Sequence, residues 1–366
     1  MPHMRIAARR GTSVSIDGET LLGFAGCDYL GLSQHPEVIA RFTSALATWG
    51  VSSSAARATS GNTLAHEHLE TQLAAFLGYD SVALLPEGFL ANCALIESLR
   101  GDHDIALVDA AAHPSLFAAI RMSSMPCDTF AHAQLAVLAT KLEEHARRRP
   151  LVVTDGVFPG NGAVADVRAL LARLPRDARL LVDDCHGVGI LGARGAGTIE
   201  HHGVGGDARL VLTGTLSKAL GCYGGFVAAP AALIERLRAV STCYLTTTPL
   251  PPAVCEAADT ALSILRRHEL QREREPLRAT LARNVAAVRE LFGKLSLPLS
   301  RAALPFFAIT PPSVADTTAL AARLRHRGVF VPVVEYPGGP QPIYLRLTVT
   351  ALHTLEEIER LAEALS

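Results

Sequence analysis

A lysine just past an apolar strand, with hydroxyls and glycines around it and no acidic neighbour, is a candidate nucleophile. The sequence holds one in Leu210-Val-Leu-Thr213-Gly-Thr215-Leu-Ser-Lys218-Ala-Leu-Gly221. Desolvation of such an ammonium lowers its pKa and frees the amine to attack a carbonyl. Hydroxyls and open backbone N–H groups on the same turn suit a phosphate, and lysine and phosphate site together point to pyridoxal phosphate. Taken alone, the stretch reads equally well as a surface lysine behind an edge strand.

Asp183-Asp184-Cys185-His186 closes the apolar run Leu180-Leu-Val182. A carboxylate at a buried strand end is costly unless it meets a cation, and a pyridinium N–H is one; a helix cap or a metal ligand are the other readings. Gly187-Val-Gly189-Ile-Leu-Gly192 matches a dinucleotide fingerprint literally. The next residues, Ala193-Arg194-Gly195-Ala196-Gly197, read as glycine loop rather than helix, and no acidic residue ends a second strand about 20 residues on, so that reading is set aside. His113, four residues after Asp109, is placed to stack on a planar ligand or to be a satisfied polar residue. Gly88-Phe89 opens a helix, which makes either a phosphate cradle or an ordinary turn. Arg346 alternates with apolar neighbours in Tyr344-Leu-Arg346-Leu-Thr348, a pattern that aims it at an anion, either a substrate carboxylate or a salt-bridge partner. His66 and His68 are two apart and do not share a helix face, so they make no zinc pair; no metal site is expected.

These residues need elements to hold them. Short β-rich runs recur at 81–85, 104–109, 127–130, 151–154, 179–183, 210–213 and 225–229, most separated by helix-length segments. That alternation predicts an α/β fold, a mostly parallel sheet covered on both faces, with ligands beyond the carboxyl ends of its strands. Before it come a hairpin over 11–24, with strands 13–16 and 20–24 on either side of an Asp17-Gly18 turn, a helix over 36–48, and a helix from 64 that Thr63 caps and Gly78 ends. After it come a helical run over 253–292 broken near Pro276, strands at 306–309, 329–331 and 344–349, and helices at 315–327 and 354–365, a separate α+β lobe.

The chain has 366 residues, 49% of them hydrophobic, and a formal charge of -1, which argues for a large globular core and against a nucleic-acid surface. Seven scattered cysteines without a CxxC pair fit reduced thiols in the cytoplasm. No apolar run approaches the ~18 residues of a membrane span, and no signal peptide is read.

The stretches DYLGLSQHP, SGNTLAHEHLE, GFLAN, VDDCHGVGILGARGAGTIEHHG, TGTLSKALG, TPLPP and LRLTVTALHT succeed one another from Asp28 to Thr354. In this order the sequence resembles the α-oxoamine synthase family of fold-type I pyridoxal-phosphate enzymes. The resemblance implies a large domain (36–249) with a seven-stranded sheet, a small α+β domain (250–366), and an N-terminal segment (1–35) joining the small one. It implies that Lys218 forms the Schiff base and moves the Cα proton, that Asp183 pairs with the pyridine nitrogen, that His186 bonds the ring oxygen and that His113 stacks on the ring. Thr215 and the Gly88-Phe89 backbone would hold the phosphate, with Thr248 from the partner of a homodimer, and Arg346 would take the amino-acid carboxylate. The implied reaction is a decarboxylative Claisen condensation of a small amino acid with an acyl-CoA or acyl-carrier-protein thioester. Three departures bear on the substrates: Cys27 stands where the family has asparagine, Pro159 where it has serine, and few residues precede the first hairpin. An aminotransferase that has lost the condensation, or a non-catalytic scaffold that binds pyridoxal phosphate, would also fit these residues.

Overall fold

The computed structural model describes residues 4–269, 276–336 and 338–366. The chain forms two compact units, one made of Pro36–Phe158 and Val164–Arg266, the other of the residues up to His35, Pro159–Ala163 and Arg267–Ser366.

The first unit is built on a seven-stranded sheet. Its strands are Ser81–Leu85, Ile105–Asp109, Cys127–Phe130, Pro150–Asp155, Arg179–Asp183, Leu210–Thr215 and Gly225–Ala229. In space the order runs from Ser81–Leu85 through Gly225–Ala229, Leu210–Thr215, Arg179–Asp183, Pro150–Asp155 and Ile105–Asp109 to Cys127–Phe130. Gly225–Ala229 is antiparallel to both its neighbours; every other pairing is parallel. Six of the seven strands are buried nearly throughout, as apolar runs in a sheet covered on both faces should be, and Cys127–Phe130 at the edge is the exposed one.

Register makes this sheet useful. Asp183 lies opposite Asp155 on one side and Thr213 on the other, while Thr215 and Leu85 both lie opposite Gly225. One edge of the sheet therefore carries a row of carboxylates and hydroxyls. Helix Gly88–Ser98 starts three residues beyond Leu85 at that same edge and is buried from Ala91 onward except at Glu97, packed on helix Pro114–Ser123. Helix Leu64–Leu77 begins and ends where expected, with Gly78 left-handed at φ 74°. Its start differs from expectation, because the Thr63 hydroxyl makes no cap bond and pairs with His66 Nδ1 at 2.8 Å. His66 Nε2 in turn donates to the Leu250 carbonyl at 2.8 Å, so this buried histidine is a satisfied core residue.

The second unit holds a four-stranded sheet in the order Ile6–Arg10, Ser13–Ile16, Glu19–Gly23, Val329–Phe330. A three-stranded sheet accompanies it, Phe306–Ile309, Tyr344–Thr348, Val333–Val334, with helices Leu277–Lys294, Val314–His326 and Leu355–Leu365. The Asp17-Gly18 turn has φ of 51° and 84°, the left-handed pair that matches the twist of a hairpin. The division expected at 249/250 falls instead between Arg266 and Arg267. Helix Pro252–Glu269 buries Ala253, Cys255, Ala258, Ala261, Leu262 and Leu265, which ties it to the first unit. Of the helical run expected over 253–292, residues 270–275 lie outside the described residues; Pro276 stands just before the helix that starts at Leu277.

Candidate active site

Asp183 is 6% exposed at its strand end. Its carboxylate accepts from Asn92 Nδ2 at 2.8 Å and from the Cys185 N–H at 3.1 Å, both neutral donors. No cation lies within ion-pair distance of it among the described residues. A buried carboxylate held only by neutral donors is a receptor for a cationic group, and a protonated ring nitrogen fits it. Asp184, next in sequence, is a different object. It is fully buried, accepts from the Thr198 N–H at 2.6 Å and from the Thr198 hydroxyl, and burial pushes its carboxyl up to about 7. Side chains at Gly156, Gly187 or Gly197 would run into its oxygens. The literal fingerprint at 187–192 thus contributes to a loop folded round a buried carboxylate.

Lys218 lies just beyond strand Leu210–Thr215, half-buried, with its Nζ 2.8 Å from His186 Nε2. A nitrogen pair at that distance shares one proton, and the His186 tautomer sets which of the two donates. The strand end is fixed by the Gly224 carbonyl, which accepts from Leu216 N–H at 2.9 Å and from Thr215 Oγ1 at 2.8 Å. Thr215 also accepts from Ser217 N–H at 3.1 Å, so its hydroxyl must turn from Gly224 before it can donate to a phosphate.

Gly88 opens its helix behind Glu87, which supplies no side-chain cap, so the N–H groups of the first turn stay free of intrahelical partners. Those groups and the helix dipole suit a phosphate. A side chain at Gly88 would sit 3.4 Å from both Cys185 Sγ and Thr215 Cβ, inside the cradle. Phe89 is 40% exposed beside it. His113 is half-buried; its N–H donates to Asp155 at 3.0 Å and its Nδ1 meets Ser115 Oγ at 2.7 Å. Burial lowers its pKa and keeps the ring neutral near pH 7, with Asp183 and Lys218 close enough to act on it in opposite directions. Burial likewise raises Asp155 well above the carboxylate range and keeps the Cys185 thiol protonated. Thr248 is exposed in the loop before Pro249.

In the second unit Arg346 projects from strand Tyr344–Thr348 between the rings of Phe306 and Tyr336, its guanidinium carbon 5.2 and 5.5 Å from their centroids. Its Nε and Nη2 are buried without an acceptor, and so is the Tyr344 hydroxyl. Arg346 and Tyr344 both line a cavity of about 180 Å³, with Pro159, Leu299, Phe306 and Phe307 among its other walls. Buried donors without acceptors, two of them on a guanidinium, make an anion site. Cys27 is hydrogen-bonded to the buried Tyr29, and both act electrostatically on Arg346. Pro159 and Cys27 therefore both belong to the surroundings of Arg346.

Sequence reasoning passed over three residues here. Ser115 and Asn92 are buried links between the expected ones, and Tyr344 shares a strand face with Arg346. Only Tyr344 carried a signal, its two-residue spacing from Arg346.

A family model described as aminotransferase class I and II matches residues 19–365. Among curated proteins, the 8-amino-7-oxononanoate synthase of Stutzerimonas stutzeri is 41% identical over 98% of this chain and 90% of its own length. That of Methylococcus capsulatus is 38% identical over 99% and 92%. Among solved structures, the serine palmitoyltransferase of Sphingomonas wittichii superposes with TM-score 0.91 at 27% identity, covering 99% of this chain and 90% of that one. The 8-amino-7-oxononanoate synthase of Francisella tularensis does so with TM-score 0.80 at 25% identity, covering 94% and 96%. With a buried carboxylate receptor, a lysine and an open helix N-terminus on one sheet edge, and with relatives alike over nearly their full length, the chain belongs to the aminotransferase class I and II family of pyridoxal-phosphate enzymes, in its α-oxoamine synthase branch.

Proposed function

We propose that the protein condenses a small amino acid with an acyl-CoA or acyl-carrier-protein thioester, as a synthase of the 8-amino-7-oxononanoate type. The new bond joins the amino-acid Cα to the acyl carbonyl carbon, and carbon dioxide and the free thiol leave. Bound pyridoxal phosphate supplies the electron sink that makes the Cα proton acidic. The observation that carries the reading is Lys218 Nζ, 2.8 Å from His186 Nε2, on the same strand edge as a carboxylate that lacks a cation. Lys218 is the residue to bind the cofactor and then to take and return the Cα proton. Asp183 holds a proton on the ring nitrogen, His186 bonds the ring oxygen, His113 packs on the ring, and the Gly88 and Phe89 N–H groups with Thr215 bind phosphate. Arg346, with Tyr344 beside it, receives the amino-acid carboxylate, and Pro159 and Cys27 shape its surroundings. Thr248 completes the phosphate site of a partner subunit in a homodimer. The free thiols at all seven cysteines support a cytoplasmic enzyme.

A matrix of amino acids against acyl thioesters, read by thiol release, tests the reaction. Release that requires both substrates supports the synthase; amine transfer to a keto acid without thiol release would sink it. Borohydride should fix the cofactor on Lys218 and on no other residue, and Lys218→Ala should abolish thiol release. The higher TM-score with the serine palmitoyltransferase, 0.91 against 0.80, favours a second pairing within the same chemistry, with serine as the amino acid. The same matrix separates the two.

A further inference from the structure

Helix Gly88–Ser98 presents its open first turn to the site, and one turn further along it presents Asn92, which is 1% exposed. Three hydrogen bonds surround that amide. Thr213 Oγ1 meets Asn92 Oδ1 at 2.6 Å, and Asn92 Nδ2 reaches Asp183 Oδ2 at 2.8 Å and Ser115 Oγ at 3.0 Å. The amide has only one workable orientation. An ionised carboxylate only accepts, so Nδ2 must face Asp183, and Oδ1 is left to accept the Thr213 proton. Ser115 Oγ accepts from Asn92 and so has its own proton free for His113 Nδ1 at 2.7 Å, where the Ser115 N–H also points at 3.2 Å. His113 Nδ1 is then an acceptor, and the proton of the neutral ring sits on Nε2.

We propose that Asn92 is a positioning residue of this site. Through one amide it orients the Asp183 carboxylate for the cofactor's ring nitrogen and, by turning the Ser115 hydroxyl proton to His113 Nδ1, reinforces the Nε2–H tautomer that the Ser115 N–H already favours. It does so from the helix whose first turn meets the phosphate, so both ends of the cofactor are gauged by one rigid element. A neutral donor is what the place requires. It holds Oδ2, whose terminal torsion is otherwise soft, without cancelling the charge the ring nitrogen needs. The titratable groups facing this amide and its partners are Asp183, Asp155, His113, Cys185 and Lys218. The inference rests on the pyridoxal-phosphate reading of the site.

The test measures the affinity of cofactor-free enzyme for pyridoxal phosphate by absorbance titration. Asn92→Ala should weaken it about tenfold to a hundredfold, the cost of a buried acceptor left unpaired. Competition by inorganic phosphate should be unchanged, since the first turn of the helix is intact. Asn92→Asp is the discriminating variant. While it shares a proton with Asp183 it repeats two of the amide's three bonds, donating to Asp183 and accepting from Thr213 but not donating to Ser115; once both are ionised they repel. Its affinity should therefore come closest to the parent's at acid pH and fall at least about tenfold as rising pH removes the shared proton, while the parent's changes far less. A residue needed only for packing would give no such profile. If Asn92→Ala does not fold, Thr213→Val, which removes the donor to Oδ1, should weaken cofactor binding several-fold. Parent-like affinity in Asn92→Asp and Thr213→Val, with a flat pH profile in the former, overturns the inference. If the parent itself fails to bind pyridoxal phosphate, the functional reading falls and takes this one with it; if the parent binds and the variants match it, only this one falls.

Discussion

Arg346 packs on two rings yet keeps two N–H groups without a protein acceptor, and Tyr344 adds an unpaired hydroxyl to the same cavity. If that cavity receives the amino-acid carboxylate, removing each donor should act on amino-acid KM more than on kcat. Arg346→Ala should raise KM on the order of a hundredfold or more, because a bidentate charged partner is lost. Tyr344→Phe should raise it about fivefold, the worth of one neutral bond. Steady-state kinetics with the acyl thioester saturating checks both. Asp184 makes a prediction about stability. Desolvation raises its carboxyl from 3.8 to about 7 in the folded chain, so between those values the folded state binds the extra proton. The stability it contributes is complete below 3.8 and is lost as pH rises through about 7. Asp155 is shifted in the same direction by its burial, whereas Asp128, held at about 2 by Lys141 and His145, acts only at lower pH. Urea midpoints should fall from acid toward neutral pH, and less steeply in Asp184→Asn, whose amide resembles the protonated carboxyl. Adjacent identical residues thus have opposite tasks. Nothing in the letters Asp183-Asp184 says which one faces the ligand; that depends on strand pleat and on where Thr198 returns.

At the scale of elements, each strand of the large sheet lies within two residues of its expectation, because buried parallel strands are short β-rich runs set off by turns and helices. Strand Ile6–Arg10 was not legible. It is exposed along its length and pairs only with Ser13–Ile16, so no apolar alternation announces it. The Asn92 links were hidden for another reason. They join residues more than twenty positions apart on different elements, and such contacts exist only once the sheet register is set. Lys218, Asp183, His186 and Gly88 were legible because each stands at the junction of a strand with its loop or helix, the places where α/β sheets put their ligands. One such junction carries a prediction. A side chain at Gly225 would collide with the backbone of Glu87 and Gly88, which cannot yield without moving the helix. Gly225→Ala should cost about 2 kcal/mol or more in urea unfolding and weaken cofactor binding with it.

On the scale of the whole molecule, the proposed homodimer is testable without a structure of the pair. If Thr248 serves the partner's phosphate site, Lys218→Ala and Thr248→Ala chains mixed and refolded together regain activity in the heterodimer, because one of its two sites is assembled from intact contributions. Two inactive or weakened homodimers that stay so on mixing would show that each site is made by one chain. Synthesis imposes a further constraint. Strand Glu19–Gly23 pairs in parallel with Val329–Phe330, about 300 residues later. The large unit is complete once Arg266 has emerged, but the small one draws on three separate stretches of chain. At roughly 5–20 residues per second, Leu21 and Leu22 leave the ribosome some 15–60 s before the strand that covers them exists. During translation that early hairpin is an unprotected sheet edge, and a structure made well before the large unit is among the last to be sheltered.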